Sequence, residues 1–182
     1  MRRCSRSARS NERRRRRRRR SGGGTSMTIA VREADLADPD EARALVEILD
    51  SYARGPGGQG APLDAHARAN LAKGLLEHPM AEVFLAFLDG QAVGAAVCVF
   101  SFSTFAGRPS VNVHDLAVLP AFQNRGIGSA LLDRVEQAAR ARGCCKITLE
   151  VHDSNTGAKR LYERAGFGPW ATPTWFVTKG LG

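Results

Sequence analysis

The segment LAVLPAFQNRGIGSALL, Leu116 to Leu132, changes from one periodicity to another within a few residues. Its apolar run ends at Pro120, and a helical pattern of apolar residues begins at Gly126 and Gly128. Glycine is a poor helix former, so glycines where a helix begins need a cause. Two causes fit: a turn whose backbone shape other residues avoid, or a bare backbone that a bulky anion approaches closely. The segment therefore predicts a strand, a turn and a helix, with a candidate anion site at their junction.

The patterns on either side of this segment predict a single mixed α/β domain. Strands are predicted by alternating or continuous apolar runs: Thr28–Ala34, Ala81–Leu88, Gln91–Phe105, Ser110–Leu119, Lys146–Val151 and Trp175–Thr178. The Asp89-Gly90 pair between the second and third runs predicts a hairpin. Helices are predicted by apolar residues at helical spacing: one starting at Asp38, then Leu63–Glu77, Gly126–Arg142 and Asn155–Ala165. The residues expected to face inward are Ala42, Leu45, Val46, Leu49 and Tyr52 in the first helix, and Ile127, Leu131, Leu132, Val135 and Ala138 in the third. The order β-α-α-β-β-β-α-β-α-β is typical of a mixed sheet with helices on its faces.

Composition limits the class of protein. A chain of 182 residues, 43% of them hydrophobic, suits one domain with a real core. The sequence has no apolar run of the length that a membrane span needs, so we expect no membrane association. The cysteines (Cys4, Cys98, Cys144 and Cys145) and the histidines show no metal-ligand spacing. We therefore expect no metal, and reduced thiols in a cytoplasmic protein.

The net charge of +9 comes from residues 1–26, which hold twelve arginines and one glutamate. The rest of the chain has fifteen basic and seventeen acidic residues and is slightly acidic. Eight consecutive arginines repel one another, so we expect residues 1–26 to be disordered. They indicate polyanion binding, a targeting segment, or an extension upstream of a true start at Met27. The last is favoured because a strand pattern follows Met27 directly, and the domain is expected over 27–182.

The stretch QNRGIG, residues 123–128, has the chemistry of a pyrophosphate site. Its backbone N–H groups and the dipole of the following helix attract an anion. Arg125 would add a cation at the rim. The stretch lacks the lysine of a P-loop and the third glycine of a dinucleotide fingerprint.

The runs HDLAVLPAFQNRGIGSALLDRVEQAARARG (His114–Gly143) and ITLEVHDSNTGAKRLYERAGF (Ile147–Phe167) resemble the GNAT superfamily of acetyl-CoA-dependent N-acetyltransferases. The resemblance covers strand, glycine turn, helix, strand, asparagine and helical tyrosine in order. It implies a mostly antiparallel central sheet with splayed strands, flanked by helices. It also implies acetyl-CoA as cosubstrate without a metal, and homodimers are common in the family.

The resemblance assigns roles to particular residues. The backbone of Leu116, Ala117 and Val118 would pair with the pantetheine arm, and an N–H near Leu116 or Ala117 would face the thioester carbonyl. Asn155 would contact the pantetheine, and Tyr162 would protonate the leaving thiolate. The pyrophosphate would be held by Gln123, Asn124, Arg125, Gly126, Ile127, Gly128 and Ser129. Two structural alternatives remain open: Asn155 as a helix cap, and Tyr162 as a core aromatic beside Phe167.

His114 and Asp115 are adjacent in a predicted strand, so their side chains are expected on opposite faces. By the resemblance, His114 is the one that faces the site, where a neutral imidazole could take the amine proton. Its alternative is a structural or substrate-orienting histidine. Asp115 would steer a cationic amine.

The run FSFSTFAGRPSVNVHDLAV, Phe100 to Val118, is similar to the spermidine/spermine and thialysine acetyltransferase branch. That branch has an acidic pair where this chain has His114-Asp115, so the resemblance favours a small primary amine without specifying a polyamine. Acetylation of a protein or peptide, an acyl-CoA sensor without catalysis, and a polyanion-binding protein are the alternatives. The acidic balance of the domain argues against nucleic acid as its partner.

Overall fold

The computed structural model describes residues 28–168, Val177 and Lys179. The strands are β1 (Ile29–Glu33), β2 (Ala81–Leu88), β3 (Gln91–Ser103), β4 (Arg108–Val118) and β5 (Ile147–Leu149). The helices are α1 (Pro39–Ala53), α2 (Ala65–Glu77), α3 (Ile127–Ala141) and α4 (Thr156–Arg164), with a 3-10 turn at Pro120–Phe122. The predicted elements in this range occur, with bounds that differ by at most two residues. The predicted strand Trp175–Thr178, apart from Val177, and residues 1–26 lie outside the described residues.

The five strands form one sheet in the order β1-β2-β3-β4-β5. Neighbouring strands from β1 to β4 are antiparallel, whereas β5 is parallel to β4. The β2–β3 connection is the predicted Asp89-Gly90 hairpin, in which both residues have positive φ, 51° and 84°. Such turns match the twist of the strands that they join. The mixed, mostly antiparallel sheet is confirmed.

Each face of the sheet is covered by helices. Helix α3 lies on one face, and the residues predicted to point inward are buried there: Ile127, Leu131, Leu132, Val135 and Ala138. Helix α1 lies on the other face, where Leu45, Ile48 and Leu49 pack against β2, β3 and β4. Helix α2 contributes only partly buried side chains, including Leu71 and Leu75. Apolar burial on both faces provides the main stabilisation of this arrangement.

The pairing of β4 with β5 is short. It runs from Val111 opposite Ile147 to Val113 opposite Leu149, three residue pairs in all. Strand β4 continues to Val118 with β3 on its other side. Residues 114–118, here termed the open edge of β4, therefore have a sheet partner on one side only among the described residues.

Candidate active site

The backbone of the open edge alternates in direction. The Leu119 N–H donates to the Val93 carbonyl at 2.9 Å, so this residue is turned toward β3. The Ala117 carbonyl is turned the same way, because it lies 3.1 Å from the position that a Cβ would take on Gly94 of β3. Backbone groups two residues apart in a strand point in the same direction.

Leu116 and Val118 are therefore turned the other way, toward the side from which β5 has diverged. The Val118 carbonyl accepts a hydrogen bond of 3.1 Å from Gln123 Nε2. The backbone of Leu116 and the N–H of Val118 make the accessible groups of the open edge, whereas the Ala117 carbonyl is directed into the sheet. Of the three residues expected to bind an extended arm, Leu116 and Val118 turn backbone groups away from β3, whereas Ala117 turns its carbonyl toward β3.

The two glycines at the start of α3 are required for different structural reasons. Gly126 has φ +82°, and a Cβ built there would meet nothing within 4 Å, so it serves the backbone conformation of the turn. A Cβ on Gly128 would lie 2.9 Å from Leu161 Cδ2, so it serves the close approach of α4. The first cause considered from the sequence therefore explains Gly126, whereas the group that approaches Gly128 in this structure is a leucine of α4 and not an anion.

The first turn of α3 has the character of an anion site. Within the described part of the chain, no side chain caps this helix and its first turn carries no acid. The N–H groups at residues 127–129 are therefore free of side-chain acceptors at the positive end of the helix. Asn124, with φ +59°, and Gly126 form the turn that exposes them. This is the arrangement with which proteins bind phosphate groups.

The residues predicted to hold the pyrophosphate contribute in different ways. Asn124 and Arg125 are exposed, and the Arg125 guanidinium lies 5.4 Å from the centre of the Phe122 ring. Gln123 is exposed, but its side-chain amide holds the Val118 carbonyl. Ile127 is 1% exposed, so only its backbone can reach a ligand. Ser129 is partly buried in the first turn.

Asn155 and Tyr162 have the structural roles that the sequence analysis left open, a helix cap and a core aromatic. Asn155 is the N-cap of α4, and its Oδ1 accepts from the Ala158 N–H at 3.1 Å. The Tyr162 ring is 7% exposed and packs against Phe167 with ring centres 5.7 Å apart. Neither role occupies the reactive group: the cap uses Asn155 Oδ1 and leaves Nδ2, and the ring contact with Phe167 does not use the Tyr162 hydroxyl.

Helix α4 contacts elements from both faces of the sheet. On the α3 side, Leu161 covers Gly128. On the α1 side, the Asn155 Nδ2 lies 3.2 Å from the position of a Cβ on Gly57. Burial and then the neighbouring Tyr52 raise the pKa of Tyr162 to about 12. Tyr162 and Asn155 therefore face the same surroundings, at the end of α1 and beside the loop that follows it.

A bulge in β4 overturns one expectation about His114 and Asp115. Val97 pairs with Asp115 and Cys98 pairs with Val113, so His114 is an extra residue without a partner on β3. Val113 and Leu116 both pack on the α3 face, which leaves His114 and Asp115 between them on the α1 face. The expectation that their side chains lie on opposite faces is wrong, because the extra residue shifts the alternation by one.

These two residues form an electrostatic cluster with Tyr52. His114 is exposed and Asp115 is partly buried. Burial raises the pKa of the Asp115 carboxyl, and His114 opposes the rise. Burial and the Asp115 charge raise the pKa of Tyr52, so its hydroxyl lies in the field of that carboxylate. The cluster combines an imidazole, a carboxyl group and a phenol at the open edge.

Tyr52 was assigned from the sequence only to the apolar stripe of α1. Its hydroxyl donates to the Gly57 carbonyl at 2.7 Å, which joins the end of α1 to the loop after it. Asp50, one turn of α1 away from Arg54, is a second residue that sequence reasoning missed. Helical spacing marks Tyr52 as inward-facing, but it carries no signal for a contact with a glycine-rich loop.

A cavity of about 330 Å³ lies elsewhere, between α3, β5 and the residues after α4. Its lining includes Glu136, Cys144, Cys145 and Phe167, and none of the predicted site residues. Among the described residues no group of three or more His, Cys, Asp or Glu side chains is placed to hold a metal ion. None of the described helices is long and apolar enough to cross a membrane.

The chain that carries the open edge of β4, the uncapped helix start and the asparagine and tyrosine of α4 belongs to the acetyltransferase (GNAT) family, whose pattern matches residues 42–167. It is 41% identical over 86 residues to the N-alpha-acetyltransferase MAK3 of Arabidopsis thaliana, covering 46% of this chain and 43% of that protein. It is 36% identical over 74 residues to the thialysine N-epsilon-acetyltransferase of Bos taurus, covering 41% of this chain and 43% of that protein. The matched parts span less than half the length of these curated relatives.

Solved structures share the fold. The ribosomal-protein-alanine N-acetyltransferase from Brucella melitensis biovar Abortus 2308 superposes with a TM-score of 0.68 at 22% identity, over 84% of this chain and all of that chain. An aminoglycoside acetyltransferase, meta-AAC0020, from an uncultured soil metagenomic sample superposes with a TM-score of 0.66 at 18% identity, over 83% of this chain and 97% of that chain. At these identities the likeness concerns the fold alone.

Proposed function

We propose that this protein is an acetyl-CoA-dependent N-acetyltransferase that moves an acetyl group directly to a primary amine of a small molecule. One observation carries the proposal. Strand β4 loses β5 as a partner after Val113, and the open edge that results carries Asp115, whose charge acts on Tyr52, a neighbour of Tyr162 on α4. The uncapped start of α3 contacts the same helix, because Leu161 covers Gly128.

The residues at this edge fit acetyl-CoA. The backbone of Leu116 and the N–H of Val118 would bind the amide groups of its extended arm as a neighbouring strand would. The N–H groups of the first turn of α3 would hold its phosphates, with Arg125 as a nearby cation. Acetyl-CoA supplies an acetyl group that is already activated as a thioester, so the chain needs no nucleophile of its own.

Tyr162 is the proposed acid. Because burial raises its pKa to about 12, the phenol stays protonated throughout the neutral range. Its ring contact with Phe167 does not use the hydroxyl, so the hydroxyl can donate to a thiolate. A positioned proton donor of this kind typically contributes about 10²- to 10⁴-fold to a rate.

His114 and Asp115 are the proposed acceptor-side residues. An amine attacks only in its neutral form, so the site has to remove a proton from an ammonium substrate. The exposed His114 imidazole is the proposed base, and the Asp115 carboxylate attracts the cation. These two roles are supported by the position of both side chains on the α1 face, because one bound amine could then contact both.

A peptide or protein amine is the second candidate acceptor. The N-alpha-acetyltransferase MAK3 and the thialysine N-epsilon-acetyltransferase match this chain over similar lengths, so the likeness supports both classes. The partly buried Asp115 carboxyl favours a small cationic amine that can enter beside it. The cytoplasmic location and the homodimer expected from the sequence remain predictions.

Release of free thiol from acetyl-CoA, measured with a panel of polyamines, lysine analogues, aminoglycosides and peptides, tests the proposal. The matched variant is Tyr162→Phe, which keeps the ring that packs on Phe167 and removes only the hydroxyl. We expect kcat to fall by about 10²-fold or more with an unchanged Kd for acetyl-CoA. A kcat of Tyr162→Phe close to that of the wild type would contradict the role of the phenol. Binding of acetyl-CoA without turnover on any amine would indicate a sensor, and no binding would refute the site.

A further inference from the structure

Asp50 of α1 is a buried carboxylate with donors from two directions. It is 8% exposed. Its Oδ1 accepts from the Leu63 N–H at 2.9 Å and lies 2.8 Å from Arg68 Nη1, and its Oδ2 accepts from Arg54 Nε at 2.9 Å. Arg54 and Leu63 lie at the two ends of the loop that joins α1 to α2, residues 54–64. Asp50 therefore holds both ends of this loop, which is termed the acceptor loop below.

The acceptor loop lies against the last turn of α1. The Tyr52 hydroxyl donates to the Gly57 carbonyl at 2.7 Å, and the Gly60 N–H donates to the Ala53 carbonyl at 2.9 Å. A Cβ on Gly58 would lie 2.4 Å from the Tyr52 carbonyl oxygen, closer than real Cβ atoms come. The loop is thus seated on helix backbone, and its glycines permit that contact.

The same loop reaches the candidate active site. A Cβ on Gly57 would lie 3.2 Å from Asn155 Nδ2 and 3.3 Å from Tyr52 Cε2. Gly57 therefore fills the space between the asparagine on the cosubstrate side and the tyrosine beside Asp115. A displacement of the loop by a few tenths of an ångström would alter the gap between these two side chains.

We propose that Asp50 is a positioning residue that holds the acceptor loop against Asn155 and Tyr52 and thereby determines the affinity for the acceptor amine. This inference rests on the proposed function and adds a residue that touches neither substrate. According to this inference, the position of the acceptor loop depends on one buried carboxylate, which precedes Tyr52 by two residues in α1.

The electrostatics explain why a charged residue is suited to this position. Burial raises the pKa of Asp50, but the hydrogen bonds from Arg54, Arg68 and the Leu63 N–H outweigh burial and hold the pKa below its usual value. Asp50 is thus ionised at neutral pH. An asparagine in its place would offer one acceptor oxygen instead of two, and its amide N–H groups would face an arginine.

Glu41 provides a matched control on the same helix. It is 9% exposed, and it too binds an arginine and a backbone N–H, those of Arg32 and Asp35. It lies in the first turn of α1, at the opposite end from the acceptor loop. Glu41→Gln therefore removes the same kind of buried charge without touching the loop.

Steady-state kinetics of the full chain with the best amine of the panel test the inference. For Asp50→Asn we expect the KM of the amine to rise by about ten-fold, with kcat and the Kd of acetyl-CoA within about two-fold of wild type. Glu41→Gln should leave all three unchanged, even where both variants lower the Tm. Gly57→Ala, which moves the loop without changing Asp50, should also raise the KM of the amine. This variant provides the test if Asp50→Asn does not fold.

Provided that the wild type is active, either of two results would overturn the role of Asp50. One is an equal shift of the amine KM in Asp50→Asn and Glu41→Gln. The other is a rise in the Kd of acetyl-CoA in Asp50→Asn as large as the rise in its amine KM. If Asp50→Asn does not fold, an unchanged amine KM in Gly57→Ala would overturn it. A wild type without turnover on any amine would instead refute the proposed function, and this inference with it.

Discussion

Replacement of Gly126 by alanine separates the two reasons for glycine at the start of α3. Gly126 has φ +82° and ψ −1°, and a Cβ there would contact nothing within 4 Å. Steric conflict with other elements therefore contributes nothing to the cost. What remains is the left-handed backbone conformation, which costs an L-residue about 1–2 kcal/mol.

That cost converts to a measurable shift. For a chain of this size, 1 kcal/mol corresponds to a change in Tm of about 2–4 °C. Gly126→Ala should therefore lower Tm by about 2–8 °C. Gly128→Ala should change it little, because about 0.5–1 kcal/mol of gained helix propensity offsets the contact of 2.9 Å with the flexible end of Leu161.

Thermal unfolding followed by circular dichroism measures the Tm of both variants. Gly126→Asn is the matched control, because asparagine adopts positive φ more readily than alanine and Asn124 already does so at 59°. We expect Gly126→Asn to lose clearly less stability than Gly126→Ala. Equal losses for alanine and asparagine, or a larger loss for Gly128→Ala than for Gly126→Ala, would refute the reasoning from backbone conformation.

Three further outcomes are expected. Leu131→Ala should lower the free energy of unfolding by about 2–5 kcal/mol in chemical denaturation, because Leu131 is 0% exposed. Burial raises the pKa of Glu82 despite its ion pair with Arg142, so wild-type stability should fall as the pH rises above 4.5 and through that raised pKa. Glu82→Gln should lack this slope, and an identical slope in its thermal melts would contradict the assignment. Burial also raises the pKa of Asp115, so the KM of the amine should rise as the pH falls toward that pKa, and a profile that stays the same in Asp115→Asn would contradict its role.

Local sequence patterns were sufficient to predict most of the helices, strands and turns. The apolar spacing from Ile127 to Ala138 predicted both α3 and its buried face. The Asp89-Gly90 pair predicted the hairpin between β2 and β3, because both residues tolerate positive φ. The cap at Asn155 followed from a short polar side chain just before a helical pattern. In each case the cause lies within a few residues of its effect, so a linear reading contains it.

The candidate site was predicted in part. The glycine turn and the positions of Asn155 and Tyr162 on one helix follow from sequence spacing, whereas the placement of His114 and Asp115 does not. Strand alternation predicted opposite faces, and the bulge opposite Val97 and Cys98 reversed that outcome. A bulge depends on the register with a partner strand, which no local pattern contains.

The sequence by itself determined the type and order of the elements, the turn at Gly126 and the pattern of the family, since these depend on neighbouring residues and on backbone conformation. The tertiary structure decided which groups meet: Leu161 over Gly128, Gly57 beside Asn155, and Asp50 with Leu63 and Arg68. These contacts join segments that are separated in the chain. Their energies come from burial and from hydrogen bonds that exist only once the sheet register and helix packing are complete.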